Sequence, residues 1–245
     1  MENALYMKDS YIKEFEGVVE SVKEDKFVVL NRTYFYPSGG GQPHDTGIMT
    51  CNGETCNGKT YNDECYRVIY VGKFSGQISH EVSKPGLKPG DKIVGKIDWD
   101  RRYRLMRMHT AAHIIDAVLY KTAGALCTGN QLGVDKSRID FSLEMLDREK
   151  MRGYIDMANE FVKKAIDVKI YFMRREEALK IPGVVKLASV MPPTADELRI
   201  VEIPGVDLQA DGGTQVKNTS EIGEINFLSV ENKGKDNRRL YYTIA

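Results

Sequence analysis

His109-Thr110-Ala111-Ala112-His113 lies inside a run that opens with Asp98-Trp99-Asp100 and carries Leu105, Met108, Ala112, Ile115 and Leu119 at helical spacing. The acidic start supplies an N-cap and the apolar positions define one buried stripe, so the run predicts a long amphipathic helix. His109 and His113, two of the four histidines in the chain, stand four residues apart and share a face beside that stripe. At the edge of a packed face two imidazoles can turn into a cleft and reach one metal ion; the same pair can equally flank a buried stripe with no ligand at all. Asp116, three residues beyond His113, is either a carboxylate that orients an imidazole or a solvated side chain. No glutamate follows His109, so the motif is not the HExxH of zinc proteases.

Just ahead of the histidines, Arg101, Arg102, Arg104 and Arg107 crowd two helical turns. Positive charge at a helix N-terminus opposes the macrodipole by roughly a few tenths of a kcal/mol per group. A bound phosphate backbone would offset that, and so would Asp98 and Asp100, which leaves RNA contact and ordinary surface arginines as alternatives.

Upstream, residues 15–22, 26–30, 66–71 and 92–97 alternate like short strands, with Glu24-Asp25 as the first turn. They predict a small β-barrel over residues 1–97. Within it, Phe35-Tyr36-Pro37-Ser38-Gly39-Gly40-Gly41-Gln42-Pro43-His44-Asp45-Thr46-Gly47 is the least generic segment. Three consecutive glycines let a backbone approach a ligand or another surface closely, or turn a tight barrel corner. Gln42, Asp45 and Thr46 are the polar groups such a loop would present.

Downstream, residues 129–142 read as a hairpin and 147–166 as a second amphipathic helix, with Met151, Tyr154, Ala158, Phe161, Val162 and Ala165 inward. Residues 168–173 and 198–203 read as strands, 175–180 as a helical turn, and Pro192-Pro193 as a loop. Residues 222–230 and 238–244 close the chain as a hairpin that turns over 233–237. The fold class is therefore α+β: a barrel, then a domain over 98–245 with helices packed on an antiparallel sheet.

The 245 residues carry 35 basic and 35 acidic side chains, so no global field attracts a polyanion and any such partner needs a local patch. Met1 to Tyr6 lacks an apolar signal core, and no run approaches the roughly 18 apolar residues of a membrane span. A cytoplasmic protein with no membrane partner is expected. Its four cysteines should then be thiols; Cys51, Cys56 and Cys65 are spaced too loosely for a zinc knuckle, and Cys127 reads as a small core residue.

Val206-Asp207-Leu208-Gln209-Ala210-Asp211-Gly212-Gly213-Thr214-Gln215-Val216 completes the picture. With the HxxxH helix, this stretch resembles the editing domain of alanyl-tRNA synthetases and its free-standing relatives, the AlaX-type trans-editing proteins. That family's pattern is HxxxH followed far downstream by CxxxH within Cys-Gly-Gly-Thr-His, the four residues gathering round one zinc. The segment from Phe35 to Gly47 is similar to the family's glycine-rich motif, and Glu221-Ile222-Gly223 continues the match. Here Asp211 stands at the cysteine position and Gln215 at the second histidine.

The resemblance implies one Zn2+ per chain held by His109, His113, Asp211 and Gln215. A carboxylate is a competent zinc ligand and a neutral amide a poor one, so a two-histidine, one-carboxylate site with an open position follows, of a kind typical of catalysis. The rival account is a tRNA-binding homologue that has lost metal-dependent activity. The implied reaction is hydrolysis of the ester on alanine tRNA mischarged with serine or glycine, with Gln42, Thr46 and Thr214 as the polar pocket groups. A site built to bond the serine hydroxyl can reject alanine by roughly 10⁴-fold. No length precedes the barrel for an aminoacylation domain, so the chain is expected to edit tRNA and not to charge it. A metallohydrolase of small esters or peptides is the third class.

Overall fold

Residues 3–51, 65–145, 147–181, 184 and 195–245 are described by a computed structural model; Cys56 and Pro192-Pro193 lie outside them. The chain divides into one unit of Met1–Gly39 with Pro43–Tyr103 and a second of Gly40–Gln42 with Arg104–Ala245.

In the first unit, β1 (Glu14–Lys23), β2 (Phe27–Leu30), β3 (Gly47–Cys51), β4 (Cys65–Phe74), β5 (Gln77–Val82) and β6 (Lys92–Ile97) close an antiparallel barrel in the order β1-β2-β5-β4-β3-β6. Period-two alternation sends Ile78, His80 and Val82 inward from β5, and Ile93 and Ile97 inward from β6, onto Val19, Val28, Phe35, Met49 and Tyr66. Glu24 and Asp25 both have positive φ, and Lys26 N donates to Lys23 O at 3.1 Å, so the β1–β2 turn has the mirror-image geometry that suits strand twist. Strands β3 and β5 were absent from the sequence reading. Gln77-Ile78-Ser79-His80-Glu81 hides its signal because its inward residues include a histidine.

Two buried polar clusters sit inside this unit. His80 Nδ1 donates to Val28 O and its Nε2 accepts from Thr33 Oγ1, each at 2.9 Å, so both ring nitrogens are satisfied. Arg102 and Asp45, neither exposed at all, form an ion pair; Arg102 also donates to Ser10 O at 2.9 Å and Tyr34 O at 2.5 Å, while Tyr36 N donates to Asp45 at 2.6 Å. Cys51 is disulfide-bonded, against the expectation of thiols throughout, while Cys65 and Cys127 are free.

Helix α1 (Trp99–Ala123) starts in the first unit and runs on through the second. Arg101 N donates to Asp98 Oδ1, the expected cap. The expected stripe is buried, but so is every residue from Met108 to Leu119. Small and apolar side chains such as Ala111, Ile114 and Ala117 fill the other sides, so the helix is a core element and not a surface amphipath.

Around it, β7 (Cys127–Gln131), β8 (Ser137–Ser142), β12 (Ile225–Gly234) and β13 (Asn237–Ile244) make one antiparallel sheet, ordered β12-β13-β8-β7. Strands β9 (Lys169–Arg174), β10 (Glu197–Ile203) and β11 (Asp207–Ala210) make another, ordered β11-β10-β9, with α3 (Arg175–Ala178) following β9. The α+β class holds, with two sheets in place of one. Helix α2 (Arg148–Lys163) packs on β12 and is capped by Asp147, whose Oδ1 accepts from Glu149 N and Lys150 N at 3.0 Å. It buries Met151, Ile155, Ala158 and Val162; Ala165, expected inward, lies past the helix end, exposed and at φ 51°.

Candidate metal centre

Helical spacing brings His109 and His113 to one face of α1 with ring centroids 5.2 Å apart. Asp211 follows β11 directly. Its N–H donates to Arg199 O at 3.1 Å, extending the β10–β11 ladder, and Arg199 Nη1 donates back to Asp211 O at 2.7 Å. The carboxylate is thus presented by rigid backbone: Oδ1 lies 3.6 Å from His109 Nε2 and Oδ2 3.9 Å from His113 Nε2. One donor atom from each of the three residues lies within 4.8 Å of the others.

Each imidazole is oriented from behind. Gln42 Oε1 accepts from His109 Nδ1 at 2.9 Å, and Asp207 Oδ2 accepts from His113 Nδ1 at 2.8 Å, so both Nε2 atoms face Asp211. Gln42 is itself locked, donating to Thr214 Oγ1 at 2.9 Å and accepting from Thr214 N at 3.1 Å. Gln209 bridges Asp207 and Asp116, at 3.0 and 2.8 Å. Gly213 is required by close approach: a Cβ there would stand 2.1 Å from His109 Cε1. Gly41 is held the same way, at φ +83° with Asn130 Oδ1 1.5 Å from where a Cβ would be.

The charge distribution is asymmetric. Burial pushes His109 down to about 4, against the pull of Asp211. Burial also opposes charge on His113, but the hydrogen bond to Asp207 and the fields of Asp207 and Asp211 outweigh it and hold His113 up to about 10. Burial works against the Asp211 anion too, yet His109, His113 and Arg199 keep its carboxyl far below the usual range. Positive charge is therefore favoured between the two carboxylates. The donor set of two imidazoles and one carboxylate fits zinc. Gln215 reaches the same centre by its amide nitrogen, 2.9 Å from Asp211 Oδ2 and 3.3 Å from His113 Nε2.

Of the sequence-derived candidates, His109, His113, Asp211, Gln215, Gln42 and Thr214 gather in the second unit. Thr46 belongs to the first, where its hydroxyl donates to Asp98 Oδ2 at 3.1 Å. Asp45, expected on the loop surface, is buried against Arg102. Asp207, not Asp116, orients an imidazole; β11, which carries it, gives no strand signal in the sequence because its inward residues are the polar Asp207 and Gln209. Thr110 was also missed as a site residue, although it adjoins His109. Of the arginines for which RNA contact and an ordinary surface role were left open, Arg101 donates to His44 O at 3.1 Å, Arg104 to Val134 O at 3.0 Å and Arg107 to Ile222 O at 2.7 Å, each within its own unit.

Residues 198–241 match the family described as the threonyl and alanyl tRNA synthetase second additional domain, and residues 4–101 match class II (A) tRNA synthetases. Over its full length the chain is 51% identical to the alanyl-tRNA editing protein AlaX-M of Methanosarcina barkeri, all of which it covers. It belongs to the AlaX-M family of alanyl-tRNA editing proteins. The AlaX-M protein of Saccharolobus solfataricus is 48% identical over the whole chain and 99% of its own length. The alanine tRNA ligase of Sulfurisphaera tokodaii is 35% identical over 93% of the chain, which spans 24% of that enzyme. Within this AlaX-M chain, no helix among the described residues is long and apolar enough to cross a membrane.

Proposed function

We propose that the chain deacylates, in trans, alanine tRNA carrying serine, with glycine as a second substrate, at one zinc ion held by His109, His113 and Asp211 with Gln215 at the fourth place. The observation that carries this reading is the convergence of two oriented imidazoles and one carboxylate within 4.8 Å. When bound, the ion supplies Lewis acidity to the ester carbonyl or to a water. The chain itself supplies pre-organisation. Gln42 and Asp207 hold the rings, Thr214 holds Gln42, and the low dielectric of the buried site strengthens their electrostatics. Such a substrate goes with a cytoplasmic setting.

The test is a deacylation assay run beside metal analysis. The expected result is loss of the ester from Ser-tRNA(Ala), sparing of Ala-tRNA(Ala), and one zinc per chain. One observation favours a second reading, a tRNA-binding homologue without catalysis: Gln215 turns an amide donor toward Asp211 and His113, where a ligand would present an acceptor. Tight tRNA binding with the ester intact after prolonged incubation would select it.

A further inference from the structure

Gln215 is bonded on both sides. Its Nε2 donates to Asp211 Oδ2 at 2.9 Å and faces His113 Nε2 at 3.3 Å, while its Oε1 accepts from Thr110 Oγ1 at 2.8 Å. Gln215 is 1% exposed and Thr110 not at all, so solvent takes up no stray donor or acceptor.

Thr110 determines whether this orientation is the only satisfied one. Its hydroxyl has one proton and two lone pairs. One lone pair accepts from Val216 N at 3.1 Å. Two acceptors compete for the proton: Gln215 Oε1, and Met106 O one turn back at 3.1 Å. If the amide turns over, the proton passes to Met106 O and the second lone pair accepts from Gln215 Nε2, so Thr110 stays bonded, while the turned Oε1 meets the Asp211 carboxylate, an acceptor, and needs a cation between them. The turned amide directs Oε1 at Asp211 and His113. Two patterns that satisfy Thr110 therefore exist for one side-chain position: one presents a donor to the centre and is complete without a cation, the other presents an acceptor that a cation completes.

We propose that Gln215 is a reversible amide, closing the centre with its NH2 group when no cation is bound and turning over on Thr110 to offer Oε1 as the fourth donor when one is. This rests on the cation site proposed above. No covalent bond changes; only the Thr110 proton exchanges one acceptor for another. The turn also gives Thr110 the role of a positioning residue, since it is the partner of the amide in both states.

The experiment is zinc titration by calorimetry at constant pH on the wild-type chain and on Gln215→Leu, whose side chain has neither donor nor acceptor. Alongside it, nuclear Overhauser effects from the Gln215 amide protons are read in the wild-type chain with and without zinc. The expected outcome is zinc binding weakened roughly tenfold or more in the variant, with the amide protons moving from proximity to the His113 ring to proximity to the Thr110 methyl group. Binding unchanged or tightened in Gln215→Leu would make the amide a mere obstacle and overturn the proposal while leaving the zinc site standing. Overhauser effects that stay on His113 with zinc bound would do the same without recourse to a variant. Absence of zinc binding by the wild-type chain would instead remove the cation reading, and the turnover with it.

Discussion

His80 in the barrel and His109 in the second unit are both buried and both pushed down to about 4 by that burial, yet they differ in what the second nitrogen faces. His80 spends both nitrogens on its own unit, at Val28 O and Thr33 Oγ1. His109 gives Nδ1 to Gln42 and turns Nε2 toward a carboxylate 3.6 Å away, beyond hydrogen-bond reach. The same contrast holds for the buried acids: Asp45 is closed off by Arg102, whereas Asp211 faces two imidazoles and a 16% exposed side. Burial and a shifted pKa thus mark both regions; an unspent, converging donor atom marks one.

The largest expected effect tests that distinction directly. His109→Ala or Asp211→Ala should lower deacylation of Ser-tRNA(Ala) by roughly a hundredfold or more with the chain still folded, as circular dichroism would report. His80→Ala should instead lower the melting temperature and leave the per-molecule rate of the folded fraction unchanged. If His80→Ala abolished activity in folded protein, the contrast would break.

Next in size is the closed ion pair. Truncating one partner, as in Asp45→Ala, leaves Arg102 buried and uncompensated, and chemical denaturation should show a loss of about 3–5 kcal/mol. A loss under about 1 kcal/mol would mean that water reaches the pair.

A third prediction concerns acid. The folded chain protonates His80 only near 4, the unfolded chain near 6.5. His80 therefore contributes its stability in full above 6.5, and that contribution falls as pH drops through the interval from 6.5 to 4, by about 3 kcal/mol in total. Denaturation midpoints of wild type and His80→Gln over that range should converge on acidification. Parallel curves would show that His80 is not the group responsible.

The smallest effects lie behind the site and at a surface cap. Asp207→Asn keeps the shape but removes the charge behind His113, and should weaken zinc affinity roughly 10- to 100-fold. Asp147→Ala removes a helix cap remote from either cluster and should cost about 1 kcal/mol with zinc affinity untouched.

Much of this was legible in the residues, for identifiable reasons. The strands of the barrel with clean alternation were readable, and so was the HxxxH helix, because i and i+4 must share a face. The downstream candidate ligand was legible only through the resemblance of Asp211-Gly-Gly-Thr-Gln215 to a known motif. Strand β5 was hidden by the inward His80, and β11 by its polar Asp207 and Gln209, which point into the site. The role of the arginines stayed open because charge is visible in a sequence and its partner is not: the acceptors of Arg104 and Arg107 are backbone carbonyls distant along the chain.

The unbroken burial of Met108 to Leu119 sets how the centre fluctuates. With no solvent-facing side to fray from, the amide hydrogens of this segment exchange only when the second unit opens as a whole, placing His109 and His113 in its slowest-exchanging layer. On the proposed cation reading, two of the donors stand in finished positions before any ion arrives. Such uptake would fold nothing and bury little new apolar surface, and calorimetry should find its heat-capacity change close to zero.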